Sequence, residues 1–238
     1  MTVTLPIKNG GDYRIAPSKI VALGLNYVDH IKESQSVDVS NFTNEVPTEP
    51  VLFPKTPNVL IGPGEPIVLP AMLDDYGFKN CRTDYEAELA IIIKDRIKNC
   101  PADEALQHIL GFTCFNDISQ RNLQKGDKGG WYRGKSLDTF GPIGPVIVPP
   151  EQIGDPQNLD IQCRHNGTTV QQSNTSHMIF SIPDIIAFIS RNFTLEAGDI
   201  IITGTPSGVG PIADGDRVEV EIENIGTLDN PVTKEKIG

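Results

Sequence analysis

Short apolar runs broken by Pro, Gly and polar clusters dominate the chain, and long helical periodicity is rare. Residues 2–23 read as strands. "KNGGDY" supplies a hairpin-type turn among them, and "KIVALGLNY" an apolar strand. "YVDHIKESQ", 27–35, reads as a short polar helix, and 36–50 as loop. "PVLFPKTPNVLIGPGEPIVLP" is Pro-punctuated β structure. "DYEAELAIII", 84–93, joins alternating acids to a run of aliphatics whose burial on both faces marks a core strand. "PADEALQHIL" has Pro at its start and acids in its first turn, which predicts a helix over 101–110. "GFTCFNDIS" returns to strand and ends near Asp117.

Residues 119–140 are polar and Gly-rich, and "IGPVIVPP" is a further strand. "IQCRHNGTTVQQ" predicts a hairpin with Asn166-Gly167 at its tip. "SIPDIIAFISRNF" predicts a helix capped by Ser181, with Ile185, Ile186 and Ile189 on its apolar stripe. "AGDIIITGTPSGVGP" is a buried strand entering a Gly-rich loop. "DGDRVEVEIENIG" alternates, with Val218, Val220 and Ile222 inward and Glu219, Glu221 and Glu223 on a solvated face. Strands outnumber helices without regular βα alternation, so the fold class is α+β with mixed or antiparallel sheets. No linker divides the chain, so 1–238 is expected to be a single domain. Within it, 1–50 forms strands, a short helix and a loop, and 51–238 a β-rich core.

Composition narrows the partners. The 238 residues are 38% hydrophobic, enough for one sizeable core, and the net charge is −11. That charge argues against a nucleic-acid partner, and an anionic ligand would need positive charge concentrated locally. No apolar stretch is long enough to span a membrane, and no Sec-type signal is visible. Cys81, Cys100, Cys114 and Cys163 are scattered without a C-x-x-C pair, which argues against disulfides and a thiolate metal site. A reducing, cytoplasmic location is the expectation.

The candidate chemistry starts with the acids. Glu86 and Glu88, about 6.6 Å apart along a strand, share a face. With Asp117 they form a set of hard oxygen donors suited to Mg²⁺ or Mn²⁺, or else they face solvent. Asp84 shares that face one pleat away and is expected nearer solvent or paired with a base. His30 and Glu33, at i and i+3, could form a base and its orienting carboxylate, or an ordinary exposed helix face. "GGWYRGKS", 129–136, matches a P-loop pattern but lacks the preceding strand and following helix that would cradle phosphate. Lys135 within it either meets an anionic substrate or is solvated. "GTPSGVG", 204–210, is either an anion-binding nest or a tight turn.

Together, "LNYVDHIKE", "LFPK", "DYEAELA", "FNDIS", "RNLQ", "RGKSLDTFGPIGP", "NTSHMIFSIPDIIAFIS" and "LEAGDIIITGTPSGVGP" resemble the fumarylacetoacetate hydrolase family, over about residues 20 to 225. The resemblance implies a β-rich mixed-sheet roll, a homodimer, and a Mg²⁺ or Mn²⁺ site. It places metal ligands at Glu86, Glu88 and Asp117, and the catalytic groups at His30, Glu33 and Lys135. Substrate contacts fall at Arg121, Gln124 and Thr205. Gln120 and Asn122 depart from the family's usual Ala and Asp. The implied substrate is a small anionic 2-oxo acid, and the implied chemistry passes through an enolate. Acylpyruvate hydrolysis, oxaloacetate-type decarboxylation and isomerisation of a 2-hydroxyhepta-2,4-diene-1,7-dioate would all use it. A scaffold that only binds a small molecule is the non-enzymatic alternative.

Overall fold

The computed structural model describes residues 3–30, 46–126 and 131–236. Its centre is a seven-stranded mixed sheet. From edge to edge the strands are Val51–Lys55, Ile20–Gly24, Ile200–Ile202, Ala87–Ile93, Ile109–Asn116, Gly141–Val148 and Leu60–Ile61. The two edge strands are almost consecutive in sequence, and that forces the sheet's shape. A flat sheet of this width would measure about 29 Å, six spacings of ~4.8 Å. The five Cα steps from Lys55 to Leu60 can reach at most about 18 Å. The sheet therefore curls until its edges approach.

The expected α+β class holds, with strands predominating. Every residue of Ala87–Ile93 is buried, as the aliphatic run implies. A five-stranded sheet packs alongside, ordered Thr168–Asn174, Asp160–His165, Arg217–Ile222, Gly226–Lys234 and Ile67–Leu69. Its hairpin turns at Asn166 and Gly167, both with positive φ (51° and 80°), as an Asn-Gly tip requires. Val218, Val220 and Ile222 point inward, and Glu219 and Glu221 pair with Arg164. Ile182–Asn192 is the longest helix among the described residues, and the Ser181 hydroxyl accepts from the Asp184 amide at its start. No helix among the described residues is long and apolar enough to cross a membrane.

Two local expectations are corrected, and one unassigned segment is filled in. "DYEAELAIII" is not one strand. Thr83–Tyr85 belongs to a three-stranded sheet with Ser119–Gln120 and Gly210–Pro211, and the chain leaves strand geometry at Glu86 before Ala87–Ile93 begins. Asn116 enforces the break, because its side-chain oxygen accepts from the Glu86 amide in place of a ladder carbonyl. Ala102–His108 is a 3₁₀ helix rather than an α-helix. The polar segment 119–140 contains two short helices, Arg121–Gly126 and Tyr132–Lys135. The expected helix over 27–35 is described only across 28–30, where it is helical, and most of the loop at 36–50 lies outside the described residues.

Candidate active site

Strand register brings the chemistry to one end of the curled sheet. Ile200–Ile202 runs parallel to Ile20–Gly24 and antiparallel to Ala87–Ile93, with Ile202 opposite Ala22 and Ala90. The segments following Gly24 and Ile202 therefore meet the start of Ala87–Ile93. Ile109–Asn116 is antiparallel to that strand with Asn116 opposite Ala87, so Asp117 emerges at the same end. Glu86, Glu88 and Asp117 converge there, all buried, with one oxygen of each within 4.8 Å of the others.

Cations answer two of these acids. The Lys135 ammonium sits 2.7 Å from Glu86 Oε2 and 2.6 Å from Asp117 Oδ2. It also stands 4.8 Å from the centre of the Phe53 ring, which stacks edge-on against Trp131. Lys55 Nζ lies 2.6 Å from the other Asp117 oxygen and donates to the Ile118 carbonyl. Arg121 Nη2 donates to Glu86 Oε1, and Arg121 Nη1 to Gln124 Oε1 at 3.1 Å. Glu88 is different. Among the described residues it makes no ion pair, and its Oε2 accepts from the Gly204 amide at 2.7 Å.

The electrostatics follow this geometry. Burial favours the neutral form of Glu86, but Arg121, Lys135 and His30 more than offset it and hold the carboxyl below the usual range. For Glu88, burial acts first, and Asp117 and Glu86 add to it, so the carboxyl is pushed well above the usual range. Burial works against the Lys135 ammonium, yet Asp117 and Glu86 raise it. Lys55 is lowered by burial, with Asp117 pulling the other way. Glu88 thus makes no ion pair among the described residues, and the three carboxylate oxygens suit a hard divalent cation.

The remaining sequence-predicted residues divide cleanly. Arg121 and Gln124 are buried on one short helix beside the acids. Thr205 is buried in the Gly-rich loop, where its hydroxyl accepts from Gln171 Nε2 at 2.9 Å. His30 stands close enough to Glu86 to contribute to its lowered pKa. Glu33 lies outside the described residues. Among the described residues the P-loop context is absent: Tyr132–Lys135 is one helical turn, and the Lys135 ammonium is engaged by carboxylates. Gly134 allows that turn to dock, since a Cβ there would meet Gln124 N at 2.7 Å and Gln120 O at 2.9 Å.

Sequence reasoning assigned no role to two buried residues, Lys55 and Gln171. Lys55 sits in the quoted "LFPK", but only the curl of the sheet reveals that it reaches Asp117. Gln171 accepts from the Ala87 amide and donates to Thr205 and the Pro206 carbonyl, tying the Gly-rich loop to the acidic strand. Asp84 pairs with bases as expected, but it is fully buried rather than nearer solvent. Arg121 Nε meets its Oδ2 at 2.8 Å and Arg82 Nε its Oδ1 at 2.7 Å.

A curled β-rich sheet carrying buried acids and bases at one end defines the class of this protein. Its family follows from comparison. A family model described as fumarylacetoacetate (FAA) hydrolase C-terminal matches residues 19–233, and the chain belongs to that family. It is 41% identical over 224 residues to human mitochondrial oxaloacetate tautomerase FAHD2B, covering 91% of this chain and 67% of that one. It is similar to the crystal structure of 5-carboxymethyl-2-hydroxymuconate delta-isomerase from Mycobacterium smegmatis. There the TM-score is 0.80 at 40% identity, over 94% of this chain and 81% of the other. Maleylpyruvate hydrolase from Sphingobium sp. SYK-6, solved with manganese(II) ion and pyruvate, matches with a TM-score of 0.75 at 32% identity, over 92% and 72%. These relatives are enzymes: a tautomerase, an isomerase and a hydrolase.

Proposed function

We propose that this chain is a divalent-metal-dependent enzyme acting on 2-oxo acids through an enolate, cleaving a C–C bond by acylpyruvate hydrolysis or oxaloacetate-type decarboxylation. The observation that carries the reading is the buried convergence of Glu86, Glu88 and Asp117 beside Lys135. Those three carboxylates would hold the cation, Mg²⁺ or Mn²⁺. When bound, it supplies Lewis-acid stabilisation of negative charge on the substrate's oxygens.

The chain's own residues supply the rest. Among the described residues, the acids Asp84, Glu86, Glu88 and Asp117 are packed with the bases Arg82, Arg121, Lys55 and Lys135. Accepting a divalent ion shifts the charge of this cluster in the positive direction, and so favours an anionic ligand. Arg121 and Gln124 bind and orient the substrate carboxylate. Lys135, held cationic, stabilises charge developing on the enolate. His30, oriented by Glu33, removes a proton from water for hydrolysis, or from substrate carbon when no water is needed. The Thr205 hydroxyl and the neighbouring loop amides position the remaining substrate oxygens.

A second reading is keto–enol isomerisation without bond cleavage. The oxaloacetate tautomerase and delta-isomerase among the relatives favour it. Both readings share proton transfer at the carbon beside the 2-oxo group. The test is incubation in deuterated water with acetopyruvate, oxaloacetate and 2-hydroxyhepta-2,4-diene-1,7-dioate, with Mg²⁺ and with EDTA. Mg²⁺-dependent deuterium incorporation or turnover is expected on at least one. No exchange and no turnover on any of them would overturn the reading, and the product formed separates cleavage from isomerisation.

A further inference from the structure

The helix Arg121–Gly126 carries Arg121 and Gln124 into the site, both of them buried. Asn122 lies between them and has no part in the chemistry above. Its side chain bonds instead to the backbone just ahead of Thr83–Tyr85. Oδ1 accepts from the Arg82 amide at 2.8 Å, and Nδ2 donates to the Asn80 carbonyl at 2.9 Å. One side chain thus holds the peptide groups on both flanks of Cys81, as a neighbouring strand would.

The bonds extend a strand pairing past its end. Ser119 and Gln120 lie opposite Asp84 and Thr83 in antiparallel register, and the same register puts Arg121 opposite Arg82 and Asn122 opposite Cys81. The Arg121 amide donates to the Arg82 carbonyl at 2.8 Å. Gln120 Nε2 reaches Cys81 Sγ at 3.3 Å, and Gln120 Oε1 accepts from the Leu123 amide at 2.9 Å in the first turn of the helix. A helix of six residues has little stability of its own, so bonds of this kind set its orientation. The orientation matters because two arginines share one acid. Arg82 Nε and Arg121 Nε hold opposite oxygens of buried Asp84, at 2.7 and 2.8 Å, and Arg121 continues to Glu86 and Gln124. Position 122 calls for an amide, since it must accept from Arg82 and donate to Asn80 at once.

We propose that Asn122 is a positioning residue for substrate binding: its side-chain amide clips residues 80–82 to the helix and so holds Arg121 where it receives the substrate carboxylate. The inference rests on the functional reading above, which gives Arg121 that ligand. Asn122 acts through Arg121 and binds neither substrate nor cation itself. An aspartate there would keep the acceptor for Arg82 but set a negative oxygen against the Asn80 carbonyl, and an alanine would release both ends of the clip.

Calorimetry on the intact chain saturated with Mn²⁺ tests it, using two bidentate chelators. Oxalate offers Arg121 a carboxylate, whereas acetohydroxamate chelates without one. Wild type should bind both. Asn122→Asp and Asn122→Ala should each weaken oxalate about tenfold, while holding Mn²⁺ and acetohydroxamate within about twofold of wild type. Arg121→Lys gives up the planar fork and should weaken oxalate at least as much. Adding Asn122→Ala to it should cost less than about twofold more, because the group being positioned is already gone. Equal losses for both chelators, or full oxalate affinity in the two Asn122 variants, would overturn the proposal. So would additive losses in the double variant, failure of both Asn122 variants to fold by circular dichroism, or wild-type oxalate affinity in Arg121→Lys. Wild type that binds no Mn²⁺, or Mn²⁺ but no oxalate, would overturn the reading of the centre itself, and this inference with it.

Discussion

At the scale of single residues, Asp84 shows how the site is held in shape. Its carboxylate receives Arg121 on one oxygen and Arg82 on the other, and Arg121 is thereby aimed at Glu86 and Gln124. Asp84→Asn leaves two guanidinium groups facing a neutral amide. Loss of one partner from a buried pair costs about 3 kcal/mol, which urea unfolding should register. A rise in KM larger than the fall in kcat is also expected if Arg121 binds the substrate carboxylate as proposed. Unchanged KM with normal stability would remove Asp84 from this role. Alternation in "DYEAELAIII" made Glu86 and Glu88 legible as partners, but it could not separate them. Glu86 is held by cations and Glu88 by a backbone amide, and that difference comes from residues 35 to 116 positions away. Lys55 and Gln171 were illegible for the same reason, since their partners lie on strands distant in sequence.

At the scale of elements, strand register governs what meets at the site, and Asp199 pins it. One oxygen of its carboxylate accepts from the Ser18 amide (2.9 Å), the Ser18 hydroxyl (2.7 Å) and the Lys19 amide (3.1 Å). The other accepts from the Glu196 amide at 2.8 Å and pairs with the Lys19 ammonium. These bonds lock the starts of Ile20–Gly24 and Ile200–Ile202 together, and therefore the ends that carry Tyr27 and Thr205. Burial works against the charged Asp199 carboxylate, but the amide, lysine and serine donors hold it below its ordinary value of 3.8. A lowered carboxyl contributes stability above the unfolded pKa and loses it as pH falls through the folded value. Asp199→Asn should therefore be less stable than wild type at pH 5–8, with the gap closing below about pH 4. Chemical unfolding of both proteins across that range checks it, and a gap that persists at low pH would contradict it. Hairpins, the Ser181-capped helix and the core strand were all legible, because turn chemistry and periodicity are local. The break at Glu86 was not. The acidic half was expected to continue the strand, but side chains from two other strands, Asn116 and Gln171, take the Glu86 and Ala87 amides at the break.

At the scale of the whole molecule, the short connection from Lys55 to Leu60 curls the central sheet and delivers Lys55 from one edge to acids carried near the middle. The ordered motifs made the family legible without revealing this closure, because no local pattern encodes the approach of two edges. The proposed function requires Glu86, Glu88 and Asp117, at one end of the curled sheet, to hold a divalent cation. Glu88 is the residue to change, since Glu86→Gln would also break ion pairs to Lys135 and Arg121. Glu88→Gln keeps an oxygen for the Gly204 amide and leaves every ion pair of the centre in place. The most direct measurement is calorimetric titration of Mn²⁺ into metal-stripped wild type and Glu88→Gln. One site per chain is expected in wild type, and its loss, or a weakening of at least tenfold, in the variant. Wild type without a site, or a folded variant that binds Mn²⁺ as tightly as wild type, would contradict it.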